Sequence, residues 1–353
     1  MKFNLPFSKN DLVVGLDIGS HAVKICQLNR TDKGYGVVNL GSAALPEGAV
    51  EDGNLNDPKA VAKVISTLMK NLKIKNKKVG FSISGYSVIV KKVNLEVMEE
   101  DELESYIMSE AEQYIPFELQ DVYLDFQDLK TNTPELARTD VMLVAAKKEV
   151  VDGYLDMLEG IKLKPVLVDI DGFALENTYE CTGVRDENVA LVDIGASKIN
   201  INILLNGVSV VARDIVAGSH KLTEQIQSAF DIDYEEAEAL KLGTVPAGEK
   251  QEQIEEIFLS SCTKWVSEIK KAVDLYHSNQ PDNPLSRLIL SGGGAKVAGL
   301  ADFLSSETGI EVDIFDPFIN MAANSKKVDR SYLESVGPEM AIAAGIAIRP
   351  SAI

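Results

Sequence analysis

The sequence predicts an α/β protein of two duplicated lobes, the first interrupted by a smaller α+β insert, and three observations predict it. The motif Asp-Ile-Gly followed by a small residue occurs at Asp17 and again at Asp193, half a chain length apart in 353 residues. Each copy is flanked by apolar segments, 14–16 and 22–28 in the first, 190–192 and 198–205 in the second, which read as strand, tight turn and returning strand. A further apolar strand, Leu288-Ile-Leu-Ser291, opens directly into Gly292-Gly293-Gly294. One repeat per half-chain means two related domains facing a cleft, because a solenoid would repeat every ~20–50 residues.

Taken in order, the first hairpin is followed by an extended piece over 35–40. Asp57-Pro58 opens a helix as N-cap and first helical residue, running to about residue 72. A buried strand over 78–84 completes a β-β-β-α-β order. From Tyr86 the texture changes. Residues 88–93 read as a strand, and 99–114 as an acidic helix with Leu103, Tyr106, Ile107, Ala111 and Tyr114 on one stripe, stopped by Pro116. Strands over 122–129 and 140–146 and a helix over 149–159, closed by Gly160, complete an insert taken as 87–164. The main lobe resumes at Pro165 with a strand and a helix over 173–181. The second half adds a strand over 208–215, helix over 219–242, a long helix over 252–276, a strand over 287–290 and a helix over 299–307. The division expected is 1–86 with 165–189, the insert 87–164, 190–217 with 266–353, and a helical subdomain 218–265.

Composition narrows the function classes. With 45% apolar and 25% charged residues the chain has ample core, which excludes disorder as its main state. Its net charge of −19 repels phosphate, so a general nucleic-acid or anionic-lipid surface is not expected. The longest uncharged apolar run, 340–348, is far short of the ~20 residues a membrane span needs. The first residues carry Pro6 and Lys9 in a short apolar patch and do not form a secretory signal, so the cytoplasm is the expected compartment. Cys26, Cys181 and Cys262 are odd in number, widely spaced and without a CxxC pair, which reads as core rather than disulfides or structural zinc.

A strand end bearing Asp, then Gly and small residues, presents backbone N–H groups to an anion, the geometry of a phosphate cradle. One such turn is equally an ordinary β-turn; two at half-chain spacing are not. Asp17 and Asp193 stand at carboxyl ends of strands, where open α/β sheets place ligands and where carboxylates hold Mg²⁺ through water. Lys24 points toward the same side, since Val23 and Ile25 point to the other. Three consecutive glycines remove every Cβ that would keep a flat ring off the backbone, although a triple glycine alone is also a flexible turn. Neither GxxxxGK[ST] nor spaced GxGxxG is present, so the P-loop and Rossmann readings fail. His21, in the first turn, and His220 and His277, near helix ends, assemble neither a Ser/His/Asp set nor a metal-ligand set.

The segments Leu16-Asp-Ile-Gly-Ser-His-Ala-Val-Lys24, Leu191-Val-Asp-Ile-Gly-Ala-Ser197 and Leu288-Ile-Leu-Ser-Gly-Gly-Gly-Ala295 look like the phosphate and adenosine motifs of the superfamily of actin, heat-shock chaperone ATPases and sugar kinases. The whole chain follows their order. With its insert, it resembles the bacterial branch containing FtsA and the type IV pilus assembly PilM family. Glu110-Ala-Glu-Gln-Tyr-Ile-Pro-Phe117 and Ala341-Ile-Ala-Ala-Gly-Ile-Ala-Ile-Arg-Pro350 favour the latter. FtsA-type relatives continue to a C-terminal amphipathic membrane helix, which is not expected here. The resemblance implies an actin-like (ribonuclease H-like) fold with an FtsA-type insert, and ATP and Mg²⁺ as cofactors.

By position it implies that Asp17 and Asp193 flank the metal, and that Gly19, Ser20, His21, Lys24, Gly195, Ala196 and Ser197 surround the phosphates. Gly292, Gly293, Gly294 and Lys296 would border the adenosine. Glu238 and Lys241 would contact ribose and adenine; their spacing puts them on one helix face, which equally suits a plain surface ion pair. Asp171 lies nearest the position that orients the attacking water, and is equally placed to be a helix N-cap. Slow ATP hydrolysis, or binding without much turnover, is expected. Tyr114, Ile115 and Phe117 around Pro116 form a heavier apolar cluster than a turn requires, beside an acidic face that also suits plain solvation. The implied partner is the N-terminal cytoplasmic peptide of PilN, held between insert and first domain at the cytoplasmic face of the inner membrane. Pilus motor ATPases and further copies of the chain are candidate partners; nucleic acid and direct membrane insertion are not. The alternatives are an FtsA-like cell-division filament protein and a small-molecule kinase of the same superfamily.

Overall fold

The structure, a computed structural model, describes residues 12–131, 137–183, 187–323 and 328–351. The first lobe begins with β1 (Val14–Ile18), β2 (Ala22–Thr31) and β3 (Gly34–Ala44), a small hairpin of β4 (Val50–Glu51) and β5 (Asn54–Leu55), helix α1 (Pro58–Asn71) and β6 (Lys78–Ile83). Asp57 caps α1 by accepting from Ala60 N at 3.0 Å, with Pro58 where its missing N–H costs nothing. The helix buries Val61, Ile65, Leu68 and Met69 against the sheet, each worth about 1.5–3 kcal/mol of burial.

The insert contributes β7 (Val88–Glu96), α2 (Glu100–Glu110), β8 (Val122–Asp128), β9 (Arg138–Lys147) and α3 (Lys148–Gly160); the lobe resumes with β10 (Lys164–Ile170) and α4 (Asp171–Glu180). The insert's sheet, ordered β7-β9-β8, has its own small core of Val93, Leu95, Leu103, Ile107, Val141 and Leu143. The predicted acidic helix ends at Glu110 and tightens into a 3-10 turn over Ala111–Gln113. Helix α3 was assigned to the insert, yet Val151, Tyr154, Met157 and Leu158 pack into the first-lobe core. Gly160 is its last residue rather than its cap; the chain leaves through Ile161, and Lys162 takes a φ of 62°.

The second lobe comprises β11 (Val189–Ile194), β12 (Ile199–Leu205), β13 (Val208–Ile215), α5 (His220–Phe230), α6 (Tyr234–Lys241), α7 (Gln251–Asn279), β14 (Arg287–Ser291), α8 (Leu300–Thr308) and β15 (Glu311–Ile314). The helix expected over 219–242 is two helices. Asp231 adopts a left-handed φ of 51°, and Asp233 recaps the chain by accepting from Glu236 N. The two sheets repeat one design: an antiparallel hairpin carrying the Asp-Ile-Gly turn, with a parallel strand beside it.

The division expected at the C-terminal end does not hold. Residues 266–353 were assigned to the second lobe, but β16 (Ala322–Ala323) pairs parallel with β3, so the first sheet runs β10-β6-β1-β2-β3-β16. Helix α9 (Arg330–Ala347) then packs Ile342 and Ile346 with Val13 and Ala174 of the first lobe. Beside them, Ala341 meets Leu175, Val189, Leu191 and Ile289, a cluster that reaches the second sheet. The crossing pair α4 and α9 is therefore the shared spine of both lobes. Among the described residues no helix is long and apolar enough to cross a membrane.

Candidate functional site

The two turns close alike: Gly19 N donates to Ala22 O (3.1 Å) and Gly195 N to Lys198 O (2.9 Å). Their strand pairing sets Asp17 opposite Lys24 and Asp193 opposite Asn200. Between the lobes the turns face one cavity of about 250 Å³. Asp17, Gly19, Ser20, His21, Lys24, Asp171, Asp193, Gly195, Ala196, Ser197, Glu238, Lys241, Gly293 and Lys296 all line it.

Gly292 and Gly294 stand behind the wall. A Cβ on Gly292, whose φ is 80°, would lie 2.4 Å from Ile194 O, and one on Gly294 only 2.3 Å from Ile194 Cγ2. Two of the three glycines thus let the loop press on the second turn, and Gly293 alone of the three presents bare backbone to the cavity. Gly292 N donates to Pro338 O (2.8 Å), tying the loop to α9.

Charges in the cavity are almost all paired. Lys24 Nζ lies 2.8 Å from Asp17 Oδ2, Lys198 Nζ lies 2.9 Å from Asp171 Oδ2, and Lys241 and Lys296 pair with Glu238 and Glu339. Asp193 has no lysine partner among the described residues and accepts only from Ser291 Oγ (2.8 Å). Burial pushes its carboxyl up to about 6, with Asp17 and Asp171 adding to the rise against Lys24 and Ser291. Burial works against ionisation of Asp171 too, but the Lys198 charge and the bond from Ser84 Oγ hold it below its usual value. Asp171 is the first helical residue of α4 and makes no cap bond; Ile170 occupies the N-cap.

The Glu238–Lys241 pair is not a surface pair. Lys241 is 5% exposed and also donates to Thr223 Oγ1 at 2.9 Å, while Glu238 accepts from Thr223 (2.6 Å) and Tyr234 OH (3.2 Å). Burial lowers Lys241, and Lys241 lowers Glu238 against the burial that would raise it. The Tyr234 ring stacks on His21 at 5.3 Å with its OH 3.1 Å from Nε2, so these groups bridge the lobes at the mouth. Burial and the neighbouring His220 lower the His21 pKa.

Lys198, Ser84, Ser291, Tyr234 and Glu339 are site residues that sequence reasoning missed. For Lys198 the signal was present, one residue after the second turn. Ser291 stands in the strand that opens into the three glycines, and Ser84, Tyr234 and Glu339 are brought in by packing between elements far apart in sequence. Among the described residues no three His, Cys, Asp or Glu converge as a protein-only metal centre, so a cation would be held jointly with a ligand's oxygens.

A second, larger cavity of about 1090 Å³ lies between the insert and the first lobe. Residues 123–130, from β8 and the loop after it, form one wall with Met142, Val144 and Ala146 of β9; Leu167, Val168 and Ile170 of β10 with Phe173 of α4 form the other. Each of β8 and β10 ends its sheet.

A family profile described as type IV pilus assembly protein PilM matches residues 15–351. The chain is similar to a protein in a solved PilM-PilN type IV pilus biogenesis complex, at 27% identity and a TM-score of 0.84, covering 96% of this chain and 98% of that one. It shares its fold with ethanolamine utilization protein EutJ from Carboxydothermus hydrogenoformans (14% identity, TM-score 0.56, 96% of this chain and 89% of that one). It also shares it with MreB 5 of Spiroplasma citri bound to AMPPNP (11% identity, TM-score 0.52, 94% and 99%). The duplicated lobes are thus the actin-like fold that was expected. Because the profile match runs from the first strand through the insert to the closing helix, the chain belongs to the type IV pilus assembly PilM family.

Proposed function

We propose that the cleft between the lobes binds ATP with Mg²⁺, and that the protein is a nucleotide-responsive scaffold of the type IV pilus assembly platform. The observation that carries this reading is the convergence of both Asp-Ile-Gly turns and Gly293 on one cavity from two lobes. The donor set fits a polyphosphate: backbone of two turns with Lys24 and Lys198 beside them. It also fits the metal, because five lining carboxylates face four lysines and Asp193 lacks an ion-pair partner among the described residues. Mg²⁺ supplies the charge that lets phosphates sit among these acids; Asp17 and Asp193 are the residues that would hold it. Asp171, bound by Lys198 and Ser84, is poorly placed to accept a proton, which supports slow hydrolysis.

The groove between the insert and the first lobe takes the N-terminal peptide of PilN, which places the protein at the cytoplasmic face of the inner membrane. Two sheet edges lining it offer main-chain groups to an extended peptide, and Val168 and Phe126 offer apolar contacts. Pilus motor ATPases and further copies of the chain are the remaining proposed partners. The family match does not favour the filament-protein or kinase alternatives.

The reading is tested by titrating a fluorescent ATP analogue with Mg²⁺. Asp17→Ala and Asp193→Asn should each weaken binding by about tenfold or more, since each removes a charged contact. Unchanged affinity in both variants would show that the nucleotide binds elsewhere.

A further inference from the structure

The two turns are related by the duplication, but their lysines are not. Counting from Asp17 and Asp193, Lys24 corresponds to Asn200, and Lys198 corresponds to Ala22. In the first turn the lysine stands opposite its own aspartate and pairs with it inside the lobe. In the second, Asn200 stands there, and it donates to Asp214 Oδ1 at 2.6 Å while its own Oδ1 is buried without a partner among the described residues. The lysine, two residues nearer the turn, crosses the cleft to Asp171 on α4.

Lys198 therefore joins the lobes. Asp171 is also held by Ser84 Oγ, and Asp214, whose charge acts on Lys198, accepts from Gly85 N at 2.5 Å. Ser84 and Gly85 form the passage from β6 into β7, the first strand of the insert, and Gly85 takes a φ of 86° that only glycine adopts without strain. The root of the insert is thus fastened to the second lobe in two ways: directly, through Gly85 and Asp214 of β13, and indirectly, through Ser84, Asp171 of the first lobe and the Lys198 ammonium that binds it.

That ammonium sits on a flexible stem next to the backbone of the second turn, in the cavity that we read as the nucleotide site, and the inference rests on that reading. We infer that Lys198 is the residue by which the cleft distinguishes a nucleoside triphosphate from a diphosphate, by exchanging Asp171 for the terminal phosphate. A phosphate group with more charge and more acceptor oxygens outcompetes one carboxylate for the ammonium. A diphosphate lacks that group and leaves the ion pair with Asp171 intact. Withdrawal of Lys198 breaks the tie that runs from Ser84 through Asp171 to the second lobe and leaves Gly85 on Asp214 alone, so the triphosphate loosens the fastening of 84–85 and frees the insert to shift.

The test is calorimetric titration of the full chain with Mg·AMPPNP and Mg·ADP, together with amide hydrogen exchange over 84–87. In Lys198→Met, affinity for AMPPNP should fall about tenfold more than affinity for ADP, and Lys198→Arg should keep the preference. In the wild type, exchange over 84–87 should be faster with AMPPNP than with ADP. Equal loss for both nucleotides, or an unchanged AMPPNP affinity in Lys198→Met, would overturn the inference. Should Lys198→Met melt early, the wild-type exchange comparison decides, and equal exchange in both states counts against it. A wild type that binds neither nucleotide would remove the nucleotide reading itself; one that binds both while Lys198→Met discriminates as before would remove only the role of Lys198.

Discussion

Glu176 on α4 accepts from Asn202 Nδ2 at 3.1 Å, across the lobes. Burial pushes its carboxyl up to about 7; the charges of Glu180 and Asp169 add to the rise, and the Asn202 bond opposes it. A carboxyl whose folded pKa lies above its unfolded value binds its proton more tightly in the native state. Stability therefore falls as pH rises from about 4.5 to about 7 and is flat beyond. Glu176→Gln removes that loss: it should melt roughly 3 °C or more above the wild type at pH 8, with the gap closing by pH 4, as thermal scans will show. A constant gap at both pH values would mean that the carboxyl titrates in the fold as it does in the unfolded chain. At this scale the sequence spoke where partners share a hairpin. The Asp17–Lys24 pairing follows from a turn whose register could be counted. The Lys198–Asp171 and Glu176–Asn202 contacts did not, because each joins residues of different lobes.

At the scale of elements, helix α9 is the instructive case. From sequence, 340–348 is a run of apolar residues without helical period, and a helix buried on every side has no amphipathic stripe to reveal it. Its packing depends on glycine. A Cβ on Gly345 would lie 1.7 Å from Ala174 O on α4, and one on Gly15 of β1 would lie 2.1 Å from Ala343 O of α9. These are backbone contacts, which cannot swing aside as a side chain would. Gly345→Ala should therefore cost about 1–3 kcal/mol despite the better helix propensity of alanine, measured by denaturant unfolding. A gain in stability would show that α4 and α9 can separate freely. The helix expected over 219–242 failed for a different reason: Asp231 and Asp233, a left-handed turn and a new cap, interrupt it without a proline or glycine to announce the break.

At the scale of the molecule, the acidic surface and the groove bear on recruitment together. A net charge of −19 opposes attachment to anionic lipid, so the recruitment proposed above has to run through a protein partner. Val168, 37% exposed on β10, is an apolar side chain in the proposed peptide groove. Val168→Arg should reduce capture of a synthetic PilN N-terminal peptide by about tenfold while leaving ATP binding intact. Undiminished capture would place the peptide elsewhere. The sequence by itself determined the duplication, the insert and both Asp-Ile-Gly turns, because each is written in short-range pattern: strand alternation, turn glycines and a half-length repeat. Only the tertiary structure decided that β16 and α9 return to the first lobe, that α3 belongs to its core, and that Gly292 and Gly294 serve packing. The physical reason is common to all three: each is settled by which surfaces bury one another across long stretches of chain, and no local spacing carries that information.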